Sequence, residues 1–217
     1  MSSETMVFLQ RETVRLKEEN ERLRNEVQSL QQYVDAIQTL IDAVQAWKPH
    51  GEVMPLLERI LYNALTVLDS NDGSLLVLDD ETGELVFVLV HGDVEESALL
   101  GYRIPPGQGI AGWVAKNAKP TIVNNPSKDP RFLPSIDQAY DFKTESLLAA
   151  PILGGGRVMG VLEVLNKHSG EEYTATDQNL LVLLCHFAGE VLHKLLTESG
   201  NGKQRKKTKK KSDNSDD

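Results

Sequence analysis

The chain contains 217 residues, of which 40% are hydrophobic and 25% charged, so one domain of ordinary size with extensions is expected. Its single cysteine, Cys185, excludes an intramolecular disulfide, and residues 1–20 contain no apolar segment typical of a secretory signal. No apolar run reaches the roughly 18 to 20 residues that span a bilayer, so we expect a cytoplasmic protein.

The net charge of −9 is unevenly distributed along the chain. Lys203 to Asp217 contains seven basic and three acidic residues, which leaves 16 basic and 29 acidic residues, a net charge of −13, elsewhere. The remainder should therefore repel nucleic acid. Nucleic acid or an anionic membrane is an expected partner of the basic segment only. The alternative is that 199–217 forms a disordered solubilising tail.

The first predicted element is a coiled coil at 6–47, preceded by a disordered N-terminus at 1–5. A seven-residue repeat runs from Met6 to Val44, and a period of 3.5 sustained over this length predicts supercoiling. The a positions hold Met6, Thr13, Asn20, Val27, Val34 and Ile41, and the d positions hold Leu9, Leu16, Leu23, Leu30, Ile37 and Val44.

The repeat favours a parallel homodimer. Valine at a with leucine at d is typical of two parallel strands, and a lone Asn20 at an a position can fix the register. Glu12 and Glu19 at g lie five residues before Lys17 and Arg24 at e, which is the spacing that pairs chains in a parallel dimer. The alternative is one long surface helix packed on its own domain, for which the a/d stripe is narrow.

The stripe widens toward the domain. Tyr33, Leu40 and Trp47 add an apolar g face, which predicts packing against the last helix of the chain and a second part of the dimer contact there. Pro49 and Gly51 then end the helix in a linker at 48–51.

The segment 52–198 predicts an α+β domain. An amphipathic helix is expected at Glu52 to Asp69, followed by a hairpin of Ser74 to Asp79 with Glu84 to His91. Next come a strand at Tyr102 to Ile104 and a short helix. A second hairpin then joins Ser146 to Leu153 with Arg157 to Asn166. The last helix should start near Thr174 or Thr176, either of which can be the N-cap, and run to about Thr197. Two hairpins predict an antiparallel sheet.

A glycine motif, Gly107-Gln108-Gly109-Ile110-Ala111-Gly112, matches the dinucleotide-binding pattern G-x-G-x-x-G. The following helix spans only about two turns before Pro120, and the next elements are hairpins in place of a βαβ unit. We therefore expect a tight strand-to-helix turn whose first helical N–H groups face a cavity and can serve an anion.

With these elements in place, Leu56 to about Leu196 resembles a GAF domain, the small-molecule-binding module of phosphodiesterases, histidine kinases and phytochromes. The resemblance rests on Arg103-Ile104-Pro105, Gly109-Ile110-Ala111-Gly112-Trp113-Val114-Ala115, Asp129-Pro130-Arg131-Phe132, Phe142-Lys143-Thr144, Pro151-Ile152 and Gly160-Val161-Leu162-Glu163. It implies an antiparallel sheet flanked by helices.

Within the family, the chain is most similar to cyclic-nucleotide-binding GAF domains. Their signature, N-K, then F, then D-E, appears here as Asn166-Lys167, Tyr173 and Asp177-Gln178. The resemblance implies a salt bridge between Lys167 and Asp177. Such a bridge can support the scaffold whether or not a nucleotide binds.

The resemblance also implies a ligand pocket. Five of its expected lining residues keep types that such sites use, namely Ser74, Ala111, Asp137, Thr144 and Glu163. Val90 and His91 stand where the family often has an aromatic residue and an acid, and Leu133 and Tyr140 also depart. Tyr140 lies three residues after Asp137, on the same helix face, and is a candidate substitute for the stacking surface.

Other chemistries are disfavoured. Cys185 and His186 lie in the last helix, outside the region where bilin-binding GAF domains carry their cysteine, and one cysteine excludes the disulfide chemistry of the family's methionine sulfoxide reductases. His186 and His193 lie two turns apart without a third ligand nearby, so no metal is expected. His91 is the candidate axial ligand for a haem, which we also disfavour. No cofactor is required.

These features predict a non-enzymatic, homodimeric sensor in signal transduction. Its pocket would bind a small molecule, with a cyclic nucleotide the leading candidate, and shift the packing of the coil toward a separate effector protein. The alternative is a ligand-free dimeric scaffold that recruits protein or nucleic acid through its coil or basic tail.

Overall fold

A computed structural model describes residues 3–46, 53–92 and 99–212 of the chain. Trp47, the predicted linker 48–51 and the ends 1–2 and 213–217 lie outside the described residues, as do the side chains of Tyr33 and Leu40. Within the described ranges, no helix is both long enough and apolar enough to cross a membrane.

The long N-terminal helix, α1, spans Ser3–Ala46, so residues 3–5 join the helix where the sequence predicts disorder. Its 44 residues correspond to about 66 Å at 1.5 Å per residue. Arg15 donates to Glu12 across 2.6 Å within this helix, so Glu12 has a partner in its own chain. Helix α1 contacts the helices α2 (Val53–Val67) and α5 (Ala175–Ser212).

The described part of the a/d stripe of α1, which excludes the side chains of Ile41 and Val44, is uncovered in the single chain. Its described apolar side chains are 45–62% exposed. These are Met6, Leu9, Leu16, Leu23, Val27, Leu30, Val34 and Ile37. The coiled coil and the homodimer remain predictions, and this exposed stripe is the surface on which they depend.

Six strands form one antiparallel sheet in the part of the chain that the structure describes. They are β1 (Ser70–Leu78), β2 (Leu85–His91), β3 (Arg103–Ile104), β4 (Thr121–Val123), β5 (Leu147–Gly154) and β6 (Arg157–Lys167). Their order in the sheet is β3-β2-β1-β6-β5-β4, and every neighbouring pair is antiparallel. The two predicted hairpins are therefore present, although β1 starts earlier than predicted because Ser70 already pairs with Lys167.

Helices cover both faces of the sheet. On one face, α2 and α5 bury a leucine-rich core that includes Leu61, Leu162 and Leu184. On the other face lie α3 (Gly109–Asn117), the 3-10 turn Pro126–Lys128 and the short helix α4 (Pro134–Ala139). The fold is thus the α+β architecture that the sequence predicts.

Helix α5 packs very closely on β5. A Cβ added at Gly189 would lie 1.9 Å from the Leu153 carbonyl oxygen, so only glycine permits this approach. The sequence predicts an end near Thr197 and a disordered segment 199–217, but the helix continues to Ser212. Gly200 and Gly202 disfavour this continuation by only about 1 kcal/mol each, no proline follows Thr197, and the Lys and Arg residues there are good helix formers.

Candidate functional site

The floor of a cavity is a row of residues on the sheet face opposite α2 and α5. Register places Val90 beside Ser74, Ser74 beside Glu163, and Glu163 beside Ala149. Because side chains alternate along strands, these residues point to one face. The small side chains of Ser74 and Ala149 on either side of Glu163 leave space above the central strand.

One wall of the cavity is the first turn of α3. Gly107 and Gly109 have φ angles of +75° and +69°, which an L side chain rarely adopts, and they turn the chain from β3 into this helix. A Cβ on Gly112 would lie 2.9 Å from the backbone of Gly107. All the described strand pairs are antiparallel, so the glycine motif serves this turn and does not belong to a βαβ unit.

The opposite wall consists of α4 and the loop after it. The Asp137 carboxylate accepts hydrogen bonds from the Thr144 backbone N–H and hydroxyl, both at 2.8 Å. The Phe142 N–H donates to the Asp137 carbonyl at 3.0 Å. These bonds fix the loop from Tyr140 to Thr144 against the cavity.

Glu163 is the buried acid of the site. It is 7% exposed, and the Ser74 hydroxyl donates to its Oε2 across 3.3 Å. Burial raises the pKa of the Glu163 carboxyl to about 7, because an ionised carboxylate loses hydration there, and the Ser74 bond lowers it less. At neutral pH this group therefore exchanges readily between its neutral and ionised forms.

The cavity has a volume of about 100 Å³. All eight ligand-binding positions predicted from the sequence line it, namely Ser74, Val90, His91, Ala111, Asp137, Tyr140, Thr144 and Glu163. Leu133, which the sequence marks as a departure from the family, also lines it. His91 ends β2 with an exposed side chain, so it lies at the rim, whereas Val90, Ala111 and Glu163 are buried.

Several further residues that line the cavity are not predicted from the sequence. They are mostly apolar, and comprise Phe87, Leu99, Ile104, Ile110, Phe132, Ile136, Phe142, Leu147 and Leu165, with Asp72 as a further acid. Asp72 could be found by strand alternation, since it lies two residues before Ser74 on β1. The loop residues Phe132 and Phe142 have no such periodic signal.

The signature residues form a brace beside the cavity. Lys167 Nζ lies 3.1 Å from Asp177 Oδ2, and the side chains are 13% and 8% exposed. Thr174 is the N-cap of α5: its N–H and hydroxyl donate to Asp177 at 2.7 and 2.9 Å, and its hydroxyl accepts from the Asp177 N–H at 3.3 Å. Lys167 also lies 5.9 Å from the centre of the Tyr173 ring.

Asn166 connects this brace to the cavity wall. Its Oδ1 accepts from the Glu145 N–H at 2.8 Å, and its Nδ2 donates to the Lys143 carbonyl at 2.9 Å. Asn166 has φ of +51°, a conformation that asparagine tolerates better than most residues. The segment held in this way carries Thr144, so a brace residue positions a cavity residue.

A second brace supports the loop between β4 and α4. Arg131 donates to both Asp129 oxygens at 2.9 and 2.6 Å and lies 4.5 Å from the centre of a Trp113 ring. The Arg131 guanidinium lowers the pKa of the Asp129 carboxyl. This arrangement accounts for the Asp129-Pro130-Arg131-Phe132 motif, which places Phe132 in the cavity wall.

Cys185 lies away from the cavity. It is fully buried in the core between α5 and the sheet, and burial raises the pKa of its thiol. His186, its neighbour, is exposed. Among the residues that the structure describes, no cluster of three or more His, Cys, Asp or Glu side chains could hold a metal ion.

Comparison with known proteins identifies relatives of this domain. The chain is 27% identical over 143 residues to a probable 3',5'-cyclic phosphodiesterase of Caenorhabditis elegans, covering 62% of this chain and 20% of that protein. It is 30% identical over 151 residues to a dual 3',5'-cyclic-AMP and -GMP phosphodiesterase of Drosophila melanogaster, covering 64% of this chain and 10% of the relative. The chain thus spans a fifth or less of these curated relatives.

A solved structure supports the fold. The GAF domain of a phosphoenolpyruvate-protein phosphotransferase from Coxiella burnetii superposes with a TM-score of 0.64 at 19% identity, over 77% of this chain and 98% of that one. The family model described as GAF domain matches residues 55–193. That span is more than half of the chain and contains every residue lining the cavity. The chain therefore belongs to the GAF domain family of small-molecule-binding sensor domains.

Proposed function

We propose that the chain is a non-enzymatic, homodimeric sensor whose cavity binds a small molecule and whose α1 coil passes the change to a separate effector protein. One observation carries the proposal: eight positions expected to contact a ligand line a single cavity between the sheet, α3 and α4. Small ligand sites are typically concave and mostly apolar, with a few polar groups that converge.

Cyclic nucleotides are the first ligands to test, because the curated relatives are named as phosphodiesterases that act on them. The first N–H groups of α3 lack intrahelical acceptors, and a phosphate would be placed there. Tyr140 offers a ring on which a base could stack.

Calorimetry of the full chain with cAMP, cGMP and a metabolite panel tests ligand binding. A ligand at 100 times its Kd should also raise the free energy of unfolding by about 2.7 kcal/mol. Ala111→Phe, which fills the cavity, should abolish the heat, whereas Ala175→Phe on the exposed start of α5 should preserve it. Absence of heat and of thermal stabilisation with every compound would contradict sensing.

The output would pass through the dimer. Helix α1 contacts α2 and α5, and both of those helices pack on the back of the sheet that carries the cavity floor. A ligand that shifts β1 or β6 would therefore act on the helices next to the coil. The exposed a/d stripe supplies the surface for a second copy.

The alternative function is a ligand-free scaffold that recruits a protein or nucleic acid through the coil or the basic segment. This alternative is supported by the continuous helix from Ala175 to Ser212, which ends in the basic run. It predicts that deletion of 199–217 abolishes partner capture while Asp137→Asn has no effect. The sensor predicts that Asp137→Asn changes the ligand response.

A further inference from the structure

The described lining of the cavity carries three acids and no Lys or Arg. The acids are Asp72, Asp137 and Glu163, and the basic side chain among the described lining residues is His91, at the rim. Apart from His91 and the first turn of α3, an anionic ligand meets no described lining group that would compensate its charge.

The acids differ in their capacity to accept further hydrogen bonds. Both Asp137 oxygens accept from Thr144. Glu163 accepts one long side-chain bond, 3.3 Å from Ser74, among the described residues. An ionised carboxylate can accept about four hydrogen bonds, so Glu163 retains acceptor capacity at the centre of the floor.

We propose that Glu163 selects the ligand class: the cavity takes a small molecule with an apolar, ring-sized body that presents an N–H donor, such as an amine, an amidine or the N–H edge of a heterocycle, to this carboxyl. The inference rests on the proposed sensor function and names the chemistry of its ligand. Walls formed by Phe87, Ile110, Phe132 and Leu147 hold the apolar body.

Energetics favour this pairing. Burying a carboxylate is costly unless hydrogen bonds or a positive charge compensate, and a charge-assisted N–H donor does both. The volume of about 100 Å³ limits the enclosed part of a ligand to about one ring, because a larger apolar cavity of about 150 Å³ in another protein binds benzene. The base of a cyclic nucleotide also carries N–H donors, so it could pair with the Glu163 carboxyl in the same way.

The ionisation of Glu163 gives the pairing a pH dependence. Its pKa of about 7 means that the acceptor form grows about tenfold between pH 6 and pH 8. The other titratable groups facing the cavity are Asp72 on β1, His91 on β2, and Asp137 and Tyr140 from α4 and its C-cap. A cationic ligand should therefore bind more tightly as the pH rises through 7.

Three isosteric probes test the proposal: benzamidine, benzamide and benzoate. They share one ring and one shape but are cationic, neutral and anionic, and only the first two donate N–H bonds. Titrations followed by saturation-transfer NMR use the full chain, E163Q, and E81Q as the matched control, because Glu81 is exposed in the β1–β2 turn.

At pH 8 we expect benzamidine to bind most tightly and benzoate most weakly. E163Q should lower benzamidine affinity about tenfold or more and narrow the differences between the probes, whereas E81Q should match the wild type. Benzamidine affinity should rise about tenfold from pH 6 to pH 8 in the wild type and stay flat in E163Q.

Equal affinity of the wild type for the three probes, or differences in affinity that E163Q leaves unchanged, would overturn the proposed ligand class. The sensor function stands in that case if calorimetry detects another ligand. Failure of these probes, of the cyclic nucleotides and of the metabolite panel overturns both proposals. If E163Q does not fold, the benzamidine affinity of the wild type at pH 6 and pH 8 tests the proposal. The expected rise supports it, and a flat affinity contradicts it.

Discussion

Glu163 occupies a position at which an apolar residue would stabilise the fold more. Its neighbours on β6, Leu162 and Val164, are fully buried on the opposite face, and Val161 packs in the same layer as the cavity. A buried acid in the central strand of a sheet costs stability unless it is compensated. This cost supports a role in ligand recognition.

The cost of Glu163 predicts the pH dependence of stability. Its pKa is about 7 when folded against an ordinary value of 4.5, so folding favours the protonated form and stability falls as the pH rises from about 4.5 to 7. Over this pH range the free energy of unfolding falls by about 3 kcal/mol. E163Q should therefore be more stable than the wild type at pH 8, by up to this amount, and the difference should shrink near pH 5.

Thermal denaturation at pH 5 and pH 8 checks this prediction. E81Q, the exposed control, should follow the wild type at both values. Equal effects of E163Q at the two pH values would contradict the burial argument.

The Lys167–Asp177 pair provides a second prediction. Asp177→Ala would leave Lys167, whose side chain is 13% exposed, without its carboxylate and would remove the cap bonds to Thr174. We expect a loss of about 3 kcal/mol or more in the free energy of unfolding, since breaking a buried pair is costly. Glu145→Ala, which breaks an exposed pair with Lys143, should cost about 0 to 1 kcal/mol. Urea denaturation measures both, and similar losses would contradict a special role for the buried brace.

The family resemblance predicts the polar part of the site better than the apolar part. It implies Ser74 and Glu163, and the strand register places these two residues side by side. Phe132 and Phe142 reach the cavity from loops, whose path depends on tertiary bonds such as those from Arg131 to Asp129. No local periodicity encodes such a path.

At the scale of elements, hydrophobic periodicity predicts the helices and the hairpins because each of them buries one regular face. The ends are harder to predict. Helix α5 passes the expected stop near Thr197 and continues through Gly200 and Gly202. Each glycine disfavours a helix by only about 1 kcal/mol relative to alanine, and no proline stands there.

Helix α1 yields the prediction at this scale. Leu16 and Leu23 are 54% and 47% exposed in the single chain, and a dimer would bury both at d positions. Leu16→Glu with Leu23→Glu should therefore shift the chain to monomer, because charges would face each other across the seam. Sedimentation velocity measures the mass. Glu18→Lys with Glu21→Lys, outside a and d, should leave the dimer intact, and a wild-type chain that sediments as a monomer would contradict the coiled coil.

At the scale of the whole molecule, the sheet separates the proposed ligand site from the proposed dimer contact. Its cavity face carries Ser74 and Glu163, while its other face carries the core in which Cys185 and four leucines of α5 are buried, namely Leu180, Leu181, Leu184 and Leu192. The long helix α1 contacts the helices on that second face. A ligand could therefore influence the coil through the strands without any contact between them.

Native mass spectrometry of the full chain, purified gently from its source organism, tests the central claim most directly. It reports stoichiometry and retained ligand in one spectrum. We predict a dimer that carries a small molecule in the wild type and loses it in Ala111→Phe. A chain without a bound molecule in the wild type, or an equal adduct in Ala111→Phe, would contradict the assignment of this cavity as the sensor site.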